Sequence, residues 1–175
     1  MVGKTGIFKE KKDLWKFTST EVGIAAAFGG LGFAGRVLGL VIPIAAGFMI
    51  DMRDISNIIV PTLGGPLAGI IVGILSGIPS SLPIAELATH IPNGIIIGLL
   101  FRSLKRPYYY LAWVVGYIYQ ILSVTFWVSY VLGFVPLRLE LWMAFLSAAI
   151  SCPVNIVLVE FLRRSSPAIK RMMDE

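Results

Sequence analysis

The chain has 175 residues, of which 57% are hydrophobic and 14% charged, and its formal net charge is +5 at pH 7. A soluble domain of this length cannot bury so much apolar surface, so the composition indicates an integral membrane protein. The single cysteine, Cys152, excludes an internal disulfide and a metal site built from cysteines alone. The N-terminal segment is charged and lacks a short apolar core with a cleavage site, so we expect no signal peptide.

Six apolar stretches predict an all-α integral membrane protein, a bundle of six transmembrane helices that forms one domain over residues 1–175. They cover residues 20–33, 37–50, 55–77, 84–101, 108–133 and 141–162, and prolines separate several of them. The first two stretches are short and rich in glycine, and could also be read as one long, broken span.

Basic residues lie unevenly on the two sides that six spans define. Thirteen of the fifteen fall on one side, namely Lys4, Lys9, Lys11, Lys12, Lys16, Arg53, Arg102, Lys105, Arg106, Arg163, Arg164, Lys170 and Arg171. Arg36 and Arg138 fall on the other side. The positive-inside bias therefore predicts that both termini are cytoplasmic, with a basic segment over residues 1–17 and a tail over residues 163–175.

Three polar side chains form a stripe in the fourth span. Glu86, His90 and Asn93 are spaced i, i+4 and i+7, which places them on one face of a helix. Polar groups at this depth are costly in lipid, so the stripe predicts the wall of a pocket open to the outside. Alternatively, Glu86 complements the positive N-terminus of the helix, and His90 is a core histidine bonded to a neighbouring helix.

Polar and aromatic groups of the fifth and sixth spans fall at the same outer-to-middle depth, where they converge on this pocket. Each amide could instead join two helices through a hydrogen bond. Arg36 could bind an anionic group of the ligand or extend to lipid headgroups. The predicted substrate-binding residues are Glu86, His90, Asn93, Gln120, Trp127, Asn155, Tyr117, Ser151 and Arg36.

Small residues recur at four-residue spacing in two spans, a pattern that lets helices approach closely in lipid. In the first span the pairs are Ala25 with Gly29 and Ala26 with Gly30. In the third span Gly65, Gly69, Gly73 and Gly77 form one line, for which packing within the chain is the favoured role.

Catalytic motifs are missing from the sequence, which contains no HExxH, CxxC, GxSxG or P-loop pattern. One histidine is too few for the usual histidine-rich zinc sites or a bis-histidine haem. We therefore expect neither an enzyme nor a cofactor or metal. The basic residues flank membrane spans, so nucleic acid is not an expected partner either.

The stretch DMRDISNIIVPTLGGPLAGIIVGILSG, residues 51–77, resembles the S components of energy-coupling factor transporters. In that family a charged inner turn precedes a helix with a Gly-Pro-x-x-Gly-x-x-x-Gly-like run, which Gly65, Pro66, Gly69 and Gly73 match. Six short spans with cytoplasmic termini complete the likeness, which extends over residues 17–164.

The resemblance implies a non-catalytic, high-affinity receptor for a vitamin or its precursor in the cell membrane of a prokaryote. Residues of helices four to six would bind the ligand near the outer surface, beneath outer loops that include the one after helix one. A transmembrane T component would contact Ala25 and Gly29, or Ala26 and Gly30, and two cytosolic ATPases would supply energy. The polar groups marginally favour thiamine or its pyrimidine precursor over riboflavin, biotin, folate or a queuosine precursor. The alternatives are a stand-alone permease and a structural or assembly subunit.

Overall fold

The computed structural model describes residues 7–9, 13–45 and 48–174. Its elements are α1 (Ser19–Val37), β1 (Val41–Ala45), β2 (Phe48–Asp51), α2 (Met52–Gly77), α3 (Pro83–Ser103), α4 (Tyr110–Thr125), a π-helical turn (Phe126–Val131), α5 (Leu137–Ser165) and α6 (Pro167–Asp174). Within these residues, four helices are long and apolar enough to cross a membrane, namely Arg53–Gly77, Pro83–Ser103, Tyr110–Val131 and Leu137–Ser165. The prediction of a mainly helical, multi-pass membrane protein is thus confirmed.

A β-hairpin stands where the second helical span was predicted, so that prediction is wrong. Val41 pairs with Asp51 and Ile42 with Ile50 in the antiparallel strands β1 and β2. The chain leaves α1 through Gly39, whose φ of 66° is a left-handed conformation that favours glycine. Pro43 then disfavours a helix interior because it has no amide hydrogen, and the β-branched residues before it favour an extended chain.

Helix α2 is folded back on itself. The Ser76 hydroxyl donates to Asn57 Oδ1 at 2.9 Å, although the two residues are nineteen positions apart. A straight helix would separate them by about 28 Å. The reversal lies at Gly65, where φ is 72° and ψ is −168°. The apolar run predicted as the third span therefore forms two antiparallel arms, a first arm over residues 52–64 and a second arm over residues 66–77.

Glycines let the second arm of α2 lie directly against α3. A Cβ atom on Gly69 would come within 2.4 Å of the Gly94 carbonyl oxygen, and one on Gly73 within 2.8 Å of the Ile91 backbone. These positions leave no room for a side chain. The prediction that the glycine line of this segment packs within the chain is confirmed.

Arg102, at the end of α3, holds the reversal of α2 in place. Its guanidinium donates to the carbonyl oxygens of Leu14 at 3.0 Å, Lys16 at 2.8 Å and Gly64 at 3.2 Å, and it forms an ion pair with Glu21. The start of α1, the bend of α2 and the end of α3 therefore meet at one charged side chain. Glu21 also forms a capping box with Thr18, which fixes where α1 begins.

The N-terminal segment, the α3–α4 connection and α6 share one end of the bundle, which we call the basic end. Phe8 bridges to Leu104, and Lys9 Nζ donates to the Met173 carbonyl at 3.3 Å. Residues predicted as a C-terminal tail thus include a docked helix, in which Met173 is 1% exposed. Nearby, Arg163 contacts Glu160 at 3.3 Å.

Arg53 lies at the opposite end, which we call the Glu86 end, because its guanidinium contacts Glu86 Oε1 at 3.2 Å. The pattern of spans predicted that Arg53 lies on the same side as most of the other basic residues. That assignment fails because the hairpin does not cross the bundle and the first arm of α2 runs back from it. The charge asymmetry survives, since Arg53 only joins Arg36 and Arg138 at this end.

The first arm of α2 is the centre of the bundle. Ile58, Ile59 and Val60 are each at most 1% exposed, and Thr62 accepts a hydrogen bond from Trp113 Nε1 at 2.8 Å. Tyr109 is fully buried in the same core, although aromatic residues at the ends of membrane spans commonly lie at the membrane interface. Its ring packs against neighbouring aromatic rings, which an interfacial position would not provide.

We predict that Gly69→Val destabilises the protein, because its side chain would force α2 and α3 apart. Overpacking of this kind costs about 1–3 kcal/mol, so the thermal midpoint in detergent should fall by several degrees. Gly30→Val is the matched control, since a Cβ at Gly30 has nothing within 4 Å. Equal losses in the two variants would contradict the close packing of α2 on α3.

The reversal of α2 can be tested by cross-linking. In a Cys152→Ser background, Asn57→Cys and Ser76→Cys together should form a rapid intramolecular cross-link with a short thiol reagent, since the native side chains are hydrogen-bonded. Each single variant serves as the control for intermolecular products. A straight α2 would give no intramolecular product, because the two thiols would lie about 28 Å apart.

Candidate functional site

A chain of hydrogen bonds links the predicted stripe of α3 to both arms of α2. Ser76 donates to Asn57 Oδ1 at 2.9 Å, and Asn57 Nδ2 lies 3.0 Å from His90 Nδ1. His90 Nε2 lies 2.7 Å from Glu86 Oε2, which completes the chain. Because Asn57 donates to Nδ1, a neutral His90 carries its proton on Nε2 and donates to Glu86.

These bonds give two residues of the stripe a packing role. His90 is 3% exposed, and both of its ring nitrogens have partners within the protein. Glu86 also contacts Arg53, so its charge is balanced. This geometry agrees with the alternative prediction, in which His90 is a core histidine hydrogen-bonded to a neighbouring helix. Asn93 differs, because it points toward α4, where its Nδ2 donates to Gln120 Oε1 at 3.4 Å.

A cavity of about 290 Å³ lies between the first turn of α2, α4 and α5. It begins at Glu140, in the first turn of α5, and reaches Ser151 three turns further along that helix. It therefore occupies the half of the bundle nearer the Glu86 end. The residues that line it are Asp54, Tyr117, Gln120, Ile121, Val124, Glu140, Met143, Ala144, Ser147, Ala148 and Ser151.

Ser151 Oγ, a buried polar atom of this cavity wall, has no hydrogen-bond partner among the described residues. Two further unsatisfied atoms lie behind the wall, on side chains that are hydrogen-bonded to wall residues: Asn155 Oδ1, next to Tyr117, and Asn93 Oδ1, next to Gln120. Asn155 Nδ2 donates to the Tyr117 hydroxyl at 2.7 Å, which orients Tyr117 at the cavity wall. Buried polar groups are normally satisfied, so a group of unsatisfied ones beside a cavity indicates a place for a polar ligand.

Both charged residues of the cavity wall are acidic, and the sequence analysis did not select either. Glu140 is 9% exposed, and among the described residues its carboxylate has no hydrogen-bond or ion-pair partner. Asp54 lines the same cavity from the first turn of α2. Asp54 precedes the predicted span that begins at residue 55, and Glu140 precedes the one that begins at residue 141. Both were therefore assigned to connections between spans. Their positions in first helical turns are the signal that could have identified them.

The remaining predicted residues divide by location. Tyr117, Gln120 and Ser151 line the cavity, whereas Trp127 lies beside Glu86 around a separate space of about 40 Å³. Arg36 lies in the last turn of α1 and is not part of the cavity wall. The structure thus brings together the amides and hydroxyls of α4 and α5, and places the aromatic Trp127 and the basic Arg36 elsewhere.

The two small-residue pairs of α1 face in opposite directions. Ala25 is 1% exposed, and a Cβ on Gly29 would lie 3.1 Å from Leu75, so this pair packs on α2. Ala26 and Gly30 are exposed. The structure therefore leaves the second pair as the one that another helix could approach.

The β-hairpin lies at the same end of the bundle as the cavity. Strand β2 lies against α5 and continues directly into Arg53 and Asp54. The hairpin therefore leads directly into Arg53, which forms an ion pair with α3, and into Asp54 of the cavity wall. It follows α1 directly in the chain.

Comparison with protein-family models finds no match, and no curated protein matches the chain. Among the described residues, no group of three or more histidine, cysteine or acidic side chains could hold a metal ion.

We predict that the bonds of the Asn57–His90 pair couple the two helices energetically. Asn57→Ala and His90→Ala should each destabilise the protein by about 1–3 kcal/mol, because each leaves a buried polar partner unsatisfied. The double variant should lose less than the sum of the two, measured as thermal midpoints in detergent. Additive losses would show that the pair does not interact.

Proposed function

We propose that this protein is the membrane-embedded, substrate-binding subunit of an importer for a small vitamin-like solute, of the energy-coupling factor type. The cavity between α2, α4 and α5 is the observation that carries this proposal. Its wall combines apolar side chains with a few convergent polar groups, the usual composition of a small-molecule site. Binding alone requires no catalytic group, so the proposed role is not that of an enzyme.

The proposed topology has six membrane segments with both termini in the cytoplasm of a prokaryotic cell. The segments are α1, the two arms of α2, α3, α4 with its π-helical turn, and α5. They alternate in direction, and the basic end would be cytoplasmic by the positive-inside bias. The cavity then lies in the outer half of the membrane, with the β-hairpin above it as the covering loop.

A partner must supply energy for uptake in this proposal. The sequence contains no P-loop for ATP, and a binding site alone can hold a solute without moving it uphill. The exposed pair Ala26 and Gly30 would receive a helix of a transmembrane T component, since small residues allow close approach in lipid. Two cytosolic ATPases would complete the complex.

The chemistry of the wall supports a heterocyclic ligand that both donates and accepts hydrogen bonds. Gln120 offers an amide and Ser151 a hydroxyl, and the Tyr117 ring provides a flat surface beside them. Thiamine or its pyrimidine precursor combines these features. Riboflavin, biotin, folate and a queuosine precursor are the other members of the test panel.

Isothermal titration of the purified protein against this panel tests the proposal. One member should bind with micromolar or tighter affinity, and Gln120→Ala and Ser151→Ala should each weaken binding about tenfold, the loss expected of one hydrogen bond to a buried ligand. Ser165→Ala, an exposed position on the same helix, is the matched control for Ser151→Ala and should bind like the original protein.

The alternative functions give different results in the same preparation. Failure to bind any member at micromolar concentration would contradict a receptor for these vitamins and favour a structural or assembly subunit. Uptake by vesicles that contain only this protein would instead favour a stand-alone permease. The proposed subunit should bind without transporting until the T component and ATPases are added.

A further inference from the structure

We infer that the solute bound in the cavity is an organic cation, held with its positively charged group against Glu140. This inference rests on the proposed function of a solute-binding subunit and specifies the chemical class of the solute. It follows from the charges, burial and volume of the cavity.

Glu140 is the first observation. Its side chain is 9% exposed and, among the described residues, has neither a hydrogen-bond donor nor a cation beside it. Withdrawing a carboxylate from water without a partner is unfavourable, and a bound cation would remove that cost. Three other carboxylates of the helices differ, since Glu21, Glu86 and Glu160 each contact an arginine.

The second observation is the sign of the charges around the cavity. Asp54 contributes a second carboxylate from α2, and no basic residue belongs to the described wall. The Glu140 carboxylate, beside a region of low dielectric constant, produces a negative potential that attracts a cation and repels an anion. Anionic solutes of similar size are therefore disfavoured.

The deeper part of the cavity indicates that the cation is organic rather than a metal ion. Ser151 is 2% exposed and its Oγ, at the wall, has no partner among the described residues. Gln120 and Tyr117 lie beside it, so neutral hydrogen-bonding groups face the end distant from Glu140. A space of about 290 Å³ is far larger than a single ion needs. An ammonium, amidinium or heteroaromatic cation with a neutral polar portion fits both ends.

Matched pairs of probes test this inference in the purified, full-length protein. Each pair contains a cation and its neutral counterpart, namely benzamidine with benzamide, and choline with 3,3-dimethylbutan-1-ol. At least one cation should bind about tenfold or more tightly than its counterpart, because an ion pair shielded from water contributes strongly to affinity. Glu140→Gln should abolish that preference. Glu160→Gln, which removes a carboxylate from the same helix at the basic end, should retain it.

Thermal stability of the ligand-free protein provides a second readout. Glu140→Gln should raise the thermal midpoint, because it removes an unpaired charge from a buried position. A merely structural role for Glu140 predicts the opposite, a lower midpoint together with unchanged discrimination between the probes. Equal binding of cation and neutral counterpart in both pairs would overturn the inference, as would a preference that survives in Glu140→Gln.

The inference and the proposed function fail in different ways. If a neutral or anionic vitamin binds in the cavity, with affinity reduced by Ser151→Ala, the proposed receptor function is supported and the inference of a cationic solute is contradicted. If the protein binds the cations selectively but never supports uptake with its partner subunits, the inference of a cationic solute is supported and the proposed importer function is contradicted.

Discussion

The reversal of α2 at Gly65 is the constraint on which the remaining structure depends. A left-handed residue followed by Pro66 ends one arm and begins the next, and Arg102 binds the carbonyl of Gly64 beside the bend. Because α2 returns along itself, the first arm becomes the centre of the bundle and the second arm lies on α3. The hairpin before α2 is thereby held at the end of the bundle opposite Arg102. The cavity forms beside the first turn of the first arm.

The bundle contains two groups of buried polar residues, one with its hydrogen bonds formed and one with polar atoms left unsatisfied. In the chain from Ser76 to Glu86, each hydrogen bond joins a buried donor to a buried or half-buried acceptor, and the Glu86 charge has a basic partner in Arg53. Around the cavity, Ser151 and Asn155 have unsatisfied atoms, and Glu140 has no partner among the described residues. The satisfied group joins helices and specifies how they pack. In the proposed function the unsatisfied group binds the solute, and the Glu140 charge selects a cation.

The sequence predicted how far along the bundle each polar residue lies better than it predicted which neighbouring helix the residue faces. Polar residues of α3, α4 and α5 do fall at a common level, because helical rise converts sequence position into depth. Which neighbour each faces depends on helix rotation and on the reversal of α2. Glu86 and His90 face the arms of α2, whereas Gln120 and Ser151 face the cavity. Asp54 and Glu140 were missed because each lies one residue before a predicted apolar span. The apolar run does not show that the helix begins two or three residues before these carboxylates.

Two features were predictable from the sequence, namely that the protein contains several apolar membrane helices and that basic residues are in excess at one end of the bundle. Composition and the lengths of apolar runs decide both, since they depend on transfer from water to lipid rather than on contacts between helices. The sequence also determined the close packing of the glycine line, because only glycine permits backbone contact. Only the tertiary contacts showed that residues 41–45 and 48–51 form paired strands, that α2 folds back, and that Asp54 and Glu140 share one cavity. These features join residues far apart in the chain, and their energies arise from contacts that no local pattern records.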